Sequence, residues 1–245
     1  MQLPVYFISD NHFMLETNSA EKKRREKLFN LFENISKTGG TLIIGGDFFD
    51  FWLQSFVGVP KYYNDLLEAL KKLSKQNIVI HYVLGNHDYW DFGILNKKYK
   101  CIIHKGDLSL KIDDMSIFIT HGDGLLKNDK MYRFMKKIIR SKVFILIVRL
   151  IPISIMTMIA RKITDTKKKF DKNYMGINKQ QKEELQNFAF KKMNSDNLDV
   201  LLMGHYHQTG IVVDDDKKFI HLGDWINQFT VTILDESKSW SQKRW

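Results

Sequence analysis

The sequence predicts an α/β protein whose body is interrupted by one helical insertion. Three observations predict it. Short β-branched and aromatic runs alternate with amphipathic helical stretches through the first 124 residues. From Leu125 to about Phe190 the strand rhythm lapses and the pattern is helical, after which strand-like runs return from Leu198. A polar motif rich in Asp, His or Asn follows five of the strand-like runs, as expected where ligands gather at the carboxyl ends of strands.

Val5 to Ser9 is the first β-type run and ends at Asp10. Ala20 to Lys37 is charged and helical, with Leu28, Leu31, Phe32 and Ile35 on one face, and Gly39-Gly40 ends it. Thr41 to Ile44 is a short buried strand leading to Gly45-Gly46-Asp47. Tyr62 to Lys75 is a second amphipathic helix carrying Leu66, Leu67, Leu70 and Leu73, and Ile78 to Leu84 is the third strand. Leu108 to Lys111 and Ser116 to Thr120 form a hairpin turned by Asp113-Asp114. After the insertion come Leu198 to Met203, Ile211 to Val213, Phe219 to Leu222 and Phe229 to Leu234, with a turn at Asp214-Asp215-Asp216. A core of residues 1–124 and 191–245 with an insertion at 125–190 is the expected division.

At 245 residues the chain is long enough for one large domain with a substantial core, and no Gly/Ser/Pro-rich linker divides it. Cys101 is the only cysteine, which excludes an intrachain disulfide and a thiolate zinc site and fits a reducing compartment. Leu3 to Ile8 lacks the basic flank of a secretory signal. With 44% hydrophobic residues the chain is not of disordered composition. Lys127 to Lys172 holds 14 Lys and Arg against 3 Asp and Glu, so this segment alone accounts for the net charge of +10.

The five motifs are Asp10-Asn11-His12, Gly46-Asp47-Phe48-Phe49-Asp50, Gly85-Asn86-His87-Asp88, His121-Gly122-Asp123 and Gly204-His205-Tyr206-His207, and they contain five of the eight histidines. Together they supply the donors of a two-metal hydrolytic site, in which divalent cations about 3.5–4 Å apart activate water and clamp a phosphoryl group. Such a site needs a bridging carboxylate. Asp47 suits this, because Gly45-Gly46 permit close backbone approach. Asp10 with His12, and His205 with His207, are spaced to converge from a strand end. Asn86 offers a neutral carbonyl and His121 a further nitrogen. His87, next to Asn86, is placed for the substrate phosphate or leaving group, as electrostatic stabiliser or general acid. Asp50, Asp88 and Asp123 are candidates to orient histidine rings from behind. Donors of nitrogen and oxygen without thiolate suit Mn²⁺, Fe²⁺ or Zn²⁺.

In this order the motifs resemble the calcineurin-like metallophosphoesterase family, with its D-x-H, G-D-x-x-D, G-N-H-D/E, H and G-H-x-H pattern. The resemblance covers residues 5–124 and 198–225. It implies a two-sheet β-sandwich flanked by helices. It further implies one metal on Asp10, His12, Asp47 and His207, a second on Asp47, Asn86, His121 and His205, and catalytic roles for His87 and Asn86. Asn11 departs from the apolar or small residue usual there. Gly46 to Trp52, His121 to Gly124 and Gly223-Asp224-Trp225 resemble more narrowly the UDP-2,3-diacylglucosamine diphosphatase branch. Its members act in lipid A synthesis, release UMP and leave 2,3-diacylglucosamine 1-phosphate. That branch implies manganese, a glycolipid-nucleotide substrate and a helical insertion after the H-G-D motif. Its enterobacterial members carry Arg at the position of His87, and this chain resembles a second group that keeps His.

The insertion contains an 18-residue apolar stretch, Val143 to Ala160, with Arg149 and Pro152 near its centre. A charge and a proline there disfavour a spanning helix, so two short helices broken at Pro152 are expected. They would form an apolar lid or interfacial surface, with Arg149, Arg161 and Lys162 among the cations suited to anionic headgroups. Phe51, Trp52 and Trp225 are read as core or as cleft lining, and Trp52 as a candidate substrate contact. His81, His104, His221 and Cys101 are read as structural.

The expected function is thus hydrolysis of a nucleotide-linked diacyl sugar by a cytoplasmic enzyme held peripherally at the inner membrane, with no protein partner inferred. The alternative is another metal-dependent phosphoesterase, a nucleotide phosphodiesterase or nuclease. An apolar run of this length is a poor nucleic-acid surface and counts against it. A non-catalytic module ranks last, because the ligand set is complete.

Overall fold

The computed structural model describes the chain apart from residues 57, 153, 156, 157, 159–161 and 163–175. Eleven strands and six α-helices occur among the described residues. The order is β1 (Val5–Ile8), α1 (Ser19–Thr38), β2 (Thr41–Ile44), α2 (Asn64–Lys75), β3 (Val79–Val83), α3 (Ile94–Tyr99), β4 (Ile102–His104), β5 (Leu108–Ile112) and β6 (Met115–Thr120). Then follow α4 (Lys130–Ile139), α5 (Lys142–Leu150), α6 (Lys179–Asp196), β7 (Val200–Met203), β8 (Thr209–Asp214), β9 (Lys217–Leu222), β10 (Thr230–Leu234) and β11 (Trp240–Arg244).

The strands form two sheets, β11-β10-β1-β2-β3-β4 and β5-β6-β7-β9-β8. In the first, β1 to β4 run parallel. In the second, β6, β7 and β9 do. Alternate residues fill the space between the sheets: Val5, Phe7, Ile43 and Val83 meet Ile117, Ile119, Leu202, Ile220 and Leu222. The other face of the first sheet, through Tyr6, Ile8, Leu42 and Ile44, packs on Leu28, Leu31, Phe32 and Ile35 of α1 and Leu66, Leu67 and Leu70 of α2. The outer face of the second sheet packs on Leu185, Ala189 and Met193 of α6. This is the two-sheet sandwich flanked by helices that the motifs implied.

Local chemistry sets the helix ends. Asn18 caps α1 by accepting from the Glu21 amide at 2.9 Å, and Gly39, at φ 79°, closes it. Asn178 and Gln181 form a capping box at the start of α6, and Asn197 ends that helix at φ 52°. The boundary expected at 190/191 falls inside α6, whose buried face belongs to the second sheet. Three elements had no sequence signal. β4 is three residues long and α3 is six. β11 reads Trp-Ser-Gln-Lys-Arg, without apolar alternation, and exists through its pairing with β10.

α5 ends before Pro152, as a proline there requires. Most of the apolar stretch beyond it lies outside the described residues. Among those described, no helix is long and apolar enough to cross a membrane. His81 Nδ1 and His104 Nε2 pair at 3.0 Å, while His221 and Cys101 are buried.

The expectation that Trp52 contacts substrate or membrane is corrected by its burial. Its exposure is 0%, its ring stacks on Phe49 at 4.4 Å, and Tyr63 packs beside it. Trp225 is equally buried and donates its indole N–H to the Thr230 carbonyl at 2.8 Å. Both are core, because rings this large stabilise most where they leave water entirely. Trp52→Ala is therefore expected to lower unfolding free energy by about 3–5 kcal/mol. Denaturant melts would show this, with KM little changed in whatever fraction remains folded.

Candidate active site

All five motifs lie just beyond the carboxyl ends of parallel strands: β1, β2 and β3 in one sheet, β6 and β7 in the other. The two sheets thus deliver side chains to one rim from opposite sides. Three groups of donor atoms assemble there: Asp10, His12 and His207; His12, Asp47 and His87; and Asp47, His121 and His205. Within each group the atoms lie inside 4.8 Å of one another, and shared members join the groups into one site. Asn86 closes the set, its Oδ1 3.2 Å from His121 Nε2. His87 comes nearer the centre than its sequence position implied, within the His12 and Asp47 group.

The backbone is held in an unusual state to achieve this. Asp10 (φ 52°), His12 (φ 44°), Asp47 (φ 51°), His205 (φ 65°) and His207 (φ 51°) are all left-handed, a conformation that L-residues rarely adopt. Backbone bonds between the loops hold it: the Asp10 amide donates to Gly46 O at 3.0 Å and the His12 amide to Asp47 O at 2.8 Å. The His205 amide donates to both carboxylate oxygens of Asp10, at 3.0 and 2.9 Å, and Ser9 Oγ donates to Oδ2 at 2.6 Å.

Each of three histidines is backed on one nitrogen and turns the other inward. His121 donates Nδ1–H to Gly45 O at 3.0 Å, and its Nε2 stands 3.2 Å from Asp47 Oδ2. His12 Nδ1 faces Asp50 Oδ1 at 3.7 Å, and its Nε2 lies 3.7 Å from Asp47 and 3.9 Å from Asp10. His207 Nδ1 faces Asp224 Oδ2 at 3.8 Å, with Nε2 3.6 Å from Asp10. Most of these inward distances exceed a hydrogen bond, so the donors surround common points instead of pairing off, which fits small cations. The backing groups set which nitrogen each ring presents.

Electrostatics agree with that fit. Asp10 and Asp47 are almost fully buried. Burial alone would raise the Asp47 carboxyl, but His121 and His87 hold it well below the usual range. Burial lowers His121, yet Asp47 and Asp10 outweigh it and push that imidazole up to about 10. His205 is pushed down to about 4 by burial and by His121. Asp47 thus demands positive charge, and without cations His121 supplies part of it as a proton while His205 stays neutral.

The three carboxylates expected behind the histidines differ in what they touch. Asp50 faces His12, and its backbone carbonyl accepts from His87 Nδ1. Asp88 braces the loops themselves: it accepts from the amides of Phe48 at 2.9 Å and Gly85 at 2.6 Å and from the Tyr82 hydroxyl. Asp123 holds the insertion, taking Tyr132 Oη and Lys136 Nζ at 2.7 Å each and Arg140 at 3.4 Å. Asp224, behind His207, had not been singled out as a site residue. It accepts from the amides of Ile226, Asn227 and Gln228 and follows β9, the next parallel strand, so the strand-end rule would have found it.

The insertion docks beside this rim. The Trp90 indole donates to Ile139 O at 3.2 Å, and the Arg140 guanidinium stacks on Tyr89 at 4.1 Å. Val148 of α5 packs on Leu53. Arg149 lies against the rings of Phe56 and Phe92, at 4.3 and 4.7 Å, so it fastens α5 to the body. Lys162 is exposed, and Arg161 lies outside the described residues.

The family model of calcineurin-like phosphoesterases matches residues 3–209. The chain belongs to that family, which makes it a metal-dependent hydrolase of phosphoester or diphosphate bonds. It is similar to the UDP-2,3-diacylglucosamine hydrolase of Porphyromonas gingivalis, 23% identical over 96% of this chain and 95% of that one. The proteins of the same name from Haemophilus influenzae and Pseudomonas fluorescens are 24% and 25% identical. Each of these two alignments covers 95% of this chain, with 95% of the Haemophilus and 92% of the Pseudomonas protein.

Gly85 tests how closely the donors are set. A Cβ there would meet Asp47 Oδ1 at 2.1 Å, although the backbone at Gly85 is of a kind any residue adopts. A Cβ there would also meet the Asp47 backbone nitrogen at 2.7 Å, so Gly85→Ala should displace Asp47, side chain and backbone together. Metal content is expected to fall below that of the parent, and turnover by about 10–100-fold, with the fold retained by circular dichroism.

Proposed function

We propose that this protein hydrolyses the diphosphate of a UDP-2,3-diacylglucosamine, releasing UMP and 2,3-diacylglucosamine 1-phosphate, as a peripheral enzyme at a membrane surface. The observation that carries the substrate class is the insertion's exposed apolar face, fastened beside a phosphoesterase site. Met131 and Phe134 of α4 are 77% and 62% exposed, and Val143 and Leu150 of α5 are 70% and 67% exposed. Side chains of this kind in such density mark a surface that meets another apolar body. The exposed Lys137 and Lys142 adjoin it, a pairing suited to acyl chains under anionic headgroups, while Lys136 and Arg140 are held by Asp123. The names of the relatives, UDP-2,3-diacylglucosamine hydrolases, support the same reading.

In this reading Asp10, His12, Asp47 and His207 hold one divalent cation, and Asp47, Asn86, His121 and His205 the other, with manganese as the metal. Bound there, the cations would polarise the phosphoryl oxygens and lower the pKa of water. Asp47 belongs to donor groups in both halves and would be the carboxylate shared between the cations. His87 donates Nδ1–H to the Asp50 carbonyl, which leaves Nε2 to carry a proton toward the departing phosphate oxygen. Asn86 orients the phosphoryl group through its amide. Within the insertion at 125–190, the part before α6 acts as the lid that takes the acyl chains and excludes water, between core segments on either side.

Incubation of the purified protein with UDP-2,3-diacylglucosamine and Mn²⁺ should release UMP, and chelation should abolish it. His87→Ala should lower kcat by about 10²–10⁴-fold with metal content unchanged. Absence of UMP release at saturating metal, with turnover of a soluble phosphodiester instead, would replace this substrate with another phosphoester.

A further inference from the structure

Arg24 belongs to none of the motifs, yet it is built into the site from behind. It sits on α1 with its side chain 11% exposed. Its Nε donates to the Trp225 carbonyl at 3.1 Å. One terminal nitrogen donates to the Asn11 carbonyl and, at 3.3 Å, to that of His12. The other donates to Glu21 Oε2 at 2.6 Å. Glu21 is itself fixed, since its Oε1 accepts from the Met14 amide at 3.0 Å. The ring of Phe13 lies 5.3 Å from the guanidinium carbon.

Those three carbonyls come from two loops. One follows β1 and carries Asp10 and His12, both left-handed. The other follows β9 and carries Asp224, which backs His207. The Trp225 amide also donates to the Asp10 carbonyl at 3.1 Å, so the loops are joined directly and Arg24 spans the joint. A planar guanidinium can serve several carbonyls at fixed angles, whereas an ammonium on a flexible stem cannot. Among the described residues Arg24 makes no hydrogen bond to Asp47, His121 or His205, and on the Asp47 loop only the charge of Asp50 acts on it.

We propose that Arg24 is a positioning residue for one half of the metal centre: it locks the loop that presents Asp10 and His12 to the loop whose Asp224 backs His207. This rests on the two-cation reading above. Arg25 provides the contrast within the same helix. It is also buried and bonded, to Glu21, Met14 O, Tyr62 O and Asp65; it touches the loop after β1 only beyond His12, at Met14, and does not reach the loop after β9, so it does not span the joint.

The test is a Mn²⁺ titration of the full-length, metal-stripped protein, with free Mn²⁺ counted by electron paramagnetic resonance. The parent should show two binding steps. In Arg24→Met one step should weaken about 10–100-fold while the other stays within about threefold, the range for groups that orient metal ligands. Arg24→Lys should show the same selective loss, and it carries the reading if the methionine variant does not fold. Arg25→Met should lower Tm with both steps intact. Two unchanged steps in Arg24→Lys, or equal weakening of both steps in the Arg24 and Arg25 variants, would overturn the assignment. Fewer than two steps in the parent would overturn the two-cation reading itself, and Arg24's role with it.

Discussion

Two buried carboxylates govern this structure. Asp10 and Asp47 sit at adjacent strand ends with almost no contact with water, and a buried negative charge is tolerable only beside positive charge and hydrogen-bond donors. The fold supplies the donors as backbone amides: His205 N to Asp10, and His87 N to Asp47 at 2.8 Å. It supplies partial positive charge through ringed imidazoles, and the remaining demand is met by divalent cations. The left-handed residues, the glycines packed against the ligands and the second row of carboxylates all follow from holding that pair in place.

The sandwich makes this possible because parallel strands from both sheets end at the same rim. β1, β2 and β7 are short and fully buried, so they position their following loops rigidly, and those loops then carry a local strain that the surrounding bonds sustain. Gly46 and Gly204 show the tightness: a Cβ on the first would meet His121 Nδ1 at 2.4 Å, and on the second Ser9 Oγ at 2.4 Å. The helical insertion is attached to the same rim through Asp123, two residues from His121, and through Tyr89 and Trp90, which follow His87 closely. α4 and α5 are therefore fastened to the loops of the site.

Much of this was legible in the sequence, for identifiable reasons. Strands that are buried on both faces read as unbroken apolar runs, and α1 and α2 read as helices because their leucines recur at helical spacing. The donors were legible because each directly follows such a strand. β11 was not, because its polar residues have no face to bury and its place is set by β10. Trp52 was misread because adjacency to a motif does not say which way a ring turns. Asp224 follows a parallel strand and was within reach of the strand-end rule, whereas Arg24 acts through contacts between residues distant in the chain and reaches Trp225 across 201 positions. No local pattern encodes such a contact.

The most direct measurement is anomalous scattering from manganese-soaked crystals of the protein. The account predicts two peaks about 3.5–4 Å apart, one on each side of the Asp47 carboxylate, the nearer one to Asp10 lying against His12 and His207. A single peak away from Asp47, or none at full occupancy of the soak, would contradict it.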